Sequence, residues 1–97
     1  MKHLHVLIVV FAFAISTSAF AGQAEYDDCI LQHLKGARLD LAVSMIRQAC
    51  EENYRRPDFV AEQKRAYNNC LLEHLVGVES YDAVTNIKQA CDSKYQP

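Results

Sequence analysis

Tyr67–Tyr95 reads YNNCLLEHLVGVESYDAVTNIKQACDSKY, and Tyr26–Tyr54 reads YDDCILQHLKGARLDLAVSMIRQACEENY. The two stretches align at a constant offset of 41 residues without a gap, and 13 of their 29 positions are identical. Shared positions include the tyrosines at both ends, Cys29/Cys70, His33/His74, Gly36/Gly77, Ile46/Ile87 and Cys50/Cys91. Agreement on that scale marks an internal duplication, so each copy is read as one supersecondary unit.

Within the first copy, Tyr26, Cys29, Ile30, His33 and Leu34 recur at helical spacing and share one face. Glu25, Asp27 and Asp28 crowd the first turn, where the helix dipole favours acids. Gly22-Gln23-Ala24 before them is expected to fray. Gly36 is expected to end the helix in a left-handed cap. A second helix is expected from an N-cap at Asp40, with Val43, Ile46, Cys50 and Tyr54 on one stripe widened by Ala42 and Ala49. Arg55–Pro57 reads as the joint between copies, because proline disfavours helix in the residue before it. The spacing predicts a third helix from a cap at Asp58 through Val76, with Phe59, Ala66, Tyr67, Cys70, Leu71 and His74 on its face. Gly77 ends it. Ser80 caps a fourth helix that carries Ala83, Val84, Ile87, Ala90, Cys91 and Tyr95, and Ser93–Pro97 is expected to fray. No useful length alternates with period two. The predicted fold class is therefore all-α: two tandem, disulfide-stapled antiparallel helical hairpins packed as a small four-helix unit.

Ahead of the copies, residues 1–21 read as a secretory signal peptide. Lys2 gives a basic start, Val6–Ile15 is an unbroken apolar run, and Ala19-Phe20-Ala21 is a small-x-small cleavage pattern before Gly22. The run is well short of the ~20 apolar residues a membrane span needs. Export to the periplasm or medium is expected, with no membrane insertion once the signal is removed. The remaining residues, 22–97, read as a single small helical domain made of the repeats 26–54 and 67–95. They hold nine lysines and arginines against twelve acids, a net charge of −3. Nucleic acid needs a basic patch and membrane-lytic peptides are cationic, so neither partner class is expected.

All four cysteines, Cys29, Cys50, Cys70 and Cys91, belong to the repeat. An even count in a small exported chain reads as a disulfide framework. A domain of this size buries too little apolar surface to offset the entropy of ordering without staples. Four cysteines allow three connectivities. In a hairpin, Cys29 and Cys50 lie roughly 9 and 14 Å from the turn on the inward stripe, at comparable height. That favours Cys29–Cys50 and, by repetition, Cys70–Cys91; a bridge between copies is the rival. Closing each 22-residue loop is worth ~3 kcal/mol in the chain-entropy account.

Each copy also places a histidine near its cysteines. Cys29, His33 and Cys50, and likewise Cys70, His74 and Cys91, would make two open Cys₂His zinc sites if the thiols were reduced. Oxidised cysteines cannot ligate, so no metal and no cofactor is expected. There is no Cys-x-x-Cys for thiol redox chemistry. Nucleophilic catalysis needs a nucleophile, a base and an orienting group, and nothing recognisable surrounds the two histidines. No catalytic residue is assigned, and an enzyme is not expected. Tyr26 with Tyr54, and Tyr67 with Tyr95, are expected to close the open end of each apolar layer.

The pattern Cys70-Leu71-Leu72, Gly77-Val78-Glu79-Ser80, Ala83-Val84, Ile87 and Ala90-Cys91 resembles a family of small exported bacterial four-cysteine proteins. The resemblance covers Tyr26–Tyr95 and departs at Ala37-Arg38-Leu39, where copy one lacks the valine and serine of copy two. It implies a signal peptide followed by two Cys-x20-Cys hairpins, and it implies no assigned activity. The expected role is therefore a non-enzymatic binding or structural protein of the periplasm, with another envelope protein as partner. An acid- or stress-activated periplasmic chaperone is the alternative, motivated by the twelve acids and by His33 and His74 on the buried faces. A metal-binding protein is the second alternative. Oligomeric state and the docking of the hairpins are not fixed by these patterns.

Overall fold

The computed structural model describes residues 22–96. The signal peptide read in residues 1–21 and its cleavage site lie outside the described residues, as does Pro97. The described residues form four α-helices: α1 (Gln23–His33), α2 (Asp40–Cys50), α3 (Glu62–His74) and α4 (Tyr81–Tyr95). A π-helical turn, Glu51–Arg55, prolongs α2, and a 3-10 turn, Pro57–Phe59, precedes α3. No strand occurs among the described residues. The two hairpins, α1–α2 and α3–α4, are each closed by a disulfide, Cys29–Cys50 and Cys70–Cys91, with a Cα–Cα distance of 5.8 Å in both.

The hairpin turns follow the sequence closely. Gly36 and Gly77 sit at φ of 88° and 80°, a conformation that costs a residue with a Cβ but not glycine. Each lets the chain reverse after its helix: the Ala37 N–H donates to the Leu34 carbonyl at 3.0 Å, and the Val78 N–H to the Leu75 carbonyl at 3.3 Å. The Ser80 hydroxyl accepts from the Ala83 N–H at 3.1 Å, so it is the N-cap of α4.

Elsewhere the boundaries move. Asp40 is the first helical residue rather than the cap; Leu39 occupies the cap position and offers no side-chain acceptor. The third helix does not start at Asp58. Pro57 opens a 3-10 turn, Val60 and Ala61 are extended, and α3 begins at Glu62. The missing backbone N–H of Pro57 suits the start of a short turn. The Arg65 guanidinium donates to the Pro57 carbonyl at 3.1 Å and ties that turn to α3. Phe59 is therefore not on the inner face and is 87% exposed. At the other end of the chain Ser93–Tyr95 is helical rather than frayed, and Tyr26 N–H bonds to Gly22 O at 2.9 Å, fixing the start of α1.

The helices pack in chain order: α1 on α2, α2 on α3 and α3 on α4, with a smaller contact between α2 and α4. The core is built from Ala42, Ile46 and Ala49 of α2, Leu71 and Leu72 of α3, Leu75 beyond it and Val84 of α4, all buried with the disulfides beside them. Alanine at two of those positions on α2 leaves room for a neighbouring helix to come close, and burying a leucine contributes roughly 1.5–3 kcal/mol. The joint between copies has a polar part as well. Asn68 donates to Asn53 Oδ1 and Glu52 Oε1, each at 3.0 Å, and Asn53 donates to Asn69 Oδ1 at 2.9 Å. Asn53 and Asn68 are buried, and this network satisfies them.

Candidate functional site

The disulfide of the second hairpin floors an open groove. Ile87 and Ala90 of α4 lie beside Cys70–Cys91, with Glu73 and His74 on the α3 rim and Lys94 and Tyr95 on the α4 rim; the recess measures about 530 Å³. Ala90 is exposed, and Ile87 is only half-buried. The Lys94 ammonium lies 5.5 Å from the centre of the Tyr95 ring, and His74 Nε2 lies 4.0 Å from Glu73 Oε2. The groove thus has a floor of aliphatic carbon and disulfide sulfur and a rim carrying both acidic and basic side chains.

The first hairpin has the same groove in reduced form. Glu25, Asp28, Cys29, Gln32, His33 and Tyr54 line a recess of about 200 Å³. The α2 side of it is gone, because α3 packs there: Ile46 and Ala49, the equivalents of Ile87 and Ala90, are fully buried. One groove per hairpin thus follows from the duplication, and only the second is open across its full width.

The four cysteines are brought together in the expected pairs. Both thiols of each Cys₂His set are consumed by a disulfide. His33 is half-buried beside Cys29, whereas His74 faces water, its ring 56% exposed. Placing both histidines on buried faces is thus corrected for His74: it sits at the outer rim of the groove. Among the described residues no group of three or more histidines, cysteines and acids converges as a metal would require. The tyrosines expected to close the apolar layers differ in burial: Tyr67 is buried, Tyr26 and Tyr95 are half-buried and Tyr54 is exposed. Arg55 lies over Tyr26 at 4.8 Å, and Lys64 over Tyr67 at 4.6 Å, so each ring seats a cation.

A second recess, about 340 Å³, runs between α2 and α4 over Tyr67 and Leu71 of α3. Lys88 crosses its rim and bonds Asp92 at 3.0 Å, which together with the nearby Tyr67 hydroxyl raises the Lys88 pKa. Burial raises the Tyr67 pKa, and the charge of Asp92 adds to it.

The π-helical turn and the asparagine network were not visible as motifs. The signal for them was present only as a difference between copies: Asn68, Asn69 and Asn53 stand where the other copy has Asp27, Asp28 and Lys94.

No helix among the described residues is long and apolar enough to cross a membrane. Two disulfides fit an oxidising, exported environment. No curated protein and no solved structure matches the chain. A family model described as "Four-cysteine protein VF_A0006-like" matches residues 7–95. With its four cysteines in two hairpin disulfides, the chain belongs to the VF_A0006-like four-cysteine protein family.

Proposed function

We propose that this is a non-enzymatic binding or structural protein of the periplasm. The observation that carries the reading is the open groove of the second hairpin, with Ile87 and Ala90 on its floor and charged residues on its rim. The disulfides support it: they hold the groove's two walls at fixed separation without a large core, so its shape is set before a partner arrives. Such a site suits recognition, with Glu73, His74, Lys94 and Tyr95 as its polar contacts. An envelope protein is the expected partner class.

The test is capture from an envelope extract with the oxidised protein as bait, alongside an Ala90→Glu variant that places a charge on the groove floor. Ala90 is exposed, so the change leaves the fold intact. The reading expects at least one protein retained by the native bait and lost with the variant. Identical profiles from the two baits would contradict it. The acid-activated chaperone is separated by circular dichroism and dye binding from neutral to strongly acid pH. A stapled binding module keeps its helicity and takes up no dye, whereas a chaperone of that kind loosens and binds it.

A further inference from the structure

We infer that the groove of the second hairpin is the seat for α1 of a second copy of this chain, giving head-to-tail self-association. This deepens the binding reading above by naming the partner, and it rests on that reading.

The internal interface is the template. The first hairpin offers Ala42, Ile46 and Ala49 of α2, and α3 of the second hairpin covers them with Leu72 among its buried residues. Adding 41 to the accepting residues gives Ala83, Ile87 and Ala90, unchanged in type and open on α4. Subtracting 41 from Leu72 gives Leu31. Leu72 is 4% exposed, while Leu31 is 71% exposed on the free side of α1. One molecule therefore carries both halves of an interface it already uses, one at each end, and neither half is occupied.

The polar substitutions between copies have the sign this pairing needs. Inside the chain, neutral Asn68 and Asn69 meet Asn53 and Glu52. At the free faces the equivalents are Asp27 and Asp28 on α1, and Lys94 and Ser93 on α4. An acid at 68 would face the Glu52 carboxylate at the internal joint, so asparagine belongs there. Between molecules, Asp27 and Asp28 would come near an ammonium and a hydroxyl donor, which favours acids, although α4 stays α-helical through Ser93 and Lys94 where copy one has its π-helical turn. Asp27 already accepts from Gln23 Nε2 at 2.9 Å through one oxygen, and a carboxylate has further acceptor sites. The turns agree: Arg38 of copy one pairs with Glu79 of copy two at 3.7 Å, and repetition sets Glu79 of one molecule against Arg38 of the next.

Two features make the external contact weaker than the internal one. Met45 and Leu41 are replaced by Asn86 and Asp82 at the same places on α4, and no linker holds the partners together. The interface is heterologous, so it does not close on itself in a pair and grows as a series of oligomers.

Sedimentation velocity on the oxidised protein over rising concentration reads this directly, using two single variants. Leu31→Glu spoils only the α1 face, and Ala90→Glu spoils only the α4 groove; both positions are exposed, and circular dichroism checks the fold. The parent is expected to grow in mass with concentration without stopping at a dimer. Each variant alone should stay monomeric, with affinity weakened at least about tenfold. Mixed together, the two should form a dimer that grows no further, because one good face of each kind remains. A parent that stays monomeric to about 1 mM overturns the inference. So does a mixture that stays monomeric, or a variant that assembles like the parent. If self-association fails while envelope capture still depends on Ala90, the groove binds another protein and only this inference falls.

Discussion

Tyr67 and its counterpart Tyr26 show how one residue type is put to different uses by position. Both stand at the start of a repeat, yet Tyr67 is buried between α2 and α4 while Tyr26 is only half-buried. Burial, and then the Asp92 charge, raise the Tyr67 pKa above its ordinary value of about 10. The folded state therefore holds the phenolic proton more tightly than the unfolded chain. Its contribution is fully present below about pH 10 and is lost as pH rises through the folded value. Lys88, whose pKa is raised by its bond to Asp92, acts in the same direction. Tyr67 should give a late phase in an alkaline titration followed by tyrosinate absorbance. Tyr67→Phe should remove that late phase; an unchanged titration would contradict the assignment. Residue-level reading of the sequence reached Cys29, Cys50, Cys70 and Cys91 because their inward stripe and hairpin height left few options. It missed that His74 is exposed, since identical helical faces in the two copies do not have identical neighbours.

At the level of elements, helix ends separate what local sequence dictates from what tertiary contact decides. Ser80 caps α4 through its hydroxyl, and Asp40 does not cap α2. Ser80→Ala should cost about 1 kcal/mol in a denaturant melt. Asp40→Ala should cost only a few tenths, the worth of an exposed charge near a helix N-terminus. Equal losses at the two sites would show that the capping assignment is wrong. Both turns were legible because glycine at a positive φ leaves a plain mark. The segment from Glu51 to Ala61 was not. Its course depends on Asn53, Asn68 and Asn69 meeting across the joint and on Arg65 holding the Pro57 carbonyl. Those are contacts 8 to 16 residues apart, invisible to a periodicity of three to four.

The whole molecule is a short stack in which the same unit occurs twice in different surroundings. Copy two is covered on its α3 side and copy one on its α2 side, so equivalent residues differ in burial. Leu72→Ala should destabilise by about 2–5 kcal/mol, as truncation in a packed core does, and Leu31→Ala by less than about 0.5 kcal/mol at concentrations where the chain is monomeric. Chemical denaturation measures both, and comparable losses would mean the hairpins are not docked through α2 and α3. The all-α class and the hairpins followed from the repeat alone. Their docking did not, because most of the apolar stripe is shared by the two copies, and an inner face is marked only by scattered exchanges such as Asn for Asp, Asn for Lys, and Leu41 and Met45 against Asp82 and Asn86.

One covalent link closes each hairpin. Trypsin cleavage after Lys35, Arg47, Arg55, Arg65, Lys88 and Lys94 places the four cysteines in four different peptides. Mass spectrometry of the unreduced digest should find the Cys29 peptide joined only to the Cys50 peptide, and the Cys70 peptide only to the Cys91 peptide. A peptide from residues 26–54 joined to one from 67–95, or any of the four recovered with a free thiol, would contradict that pairing.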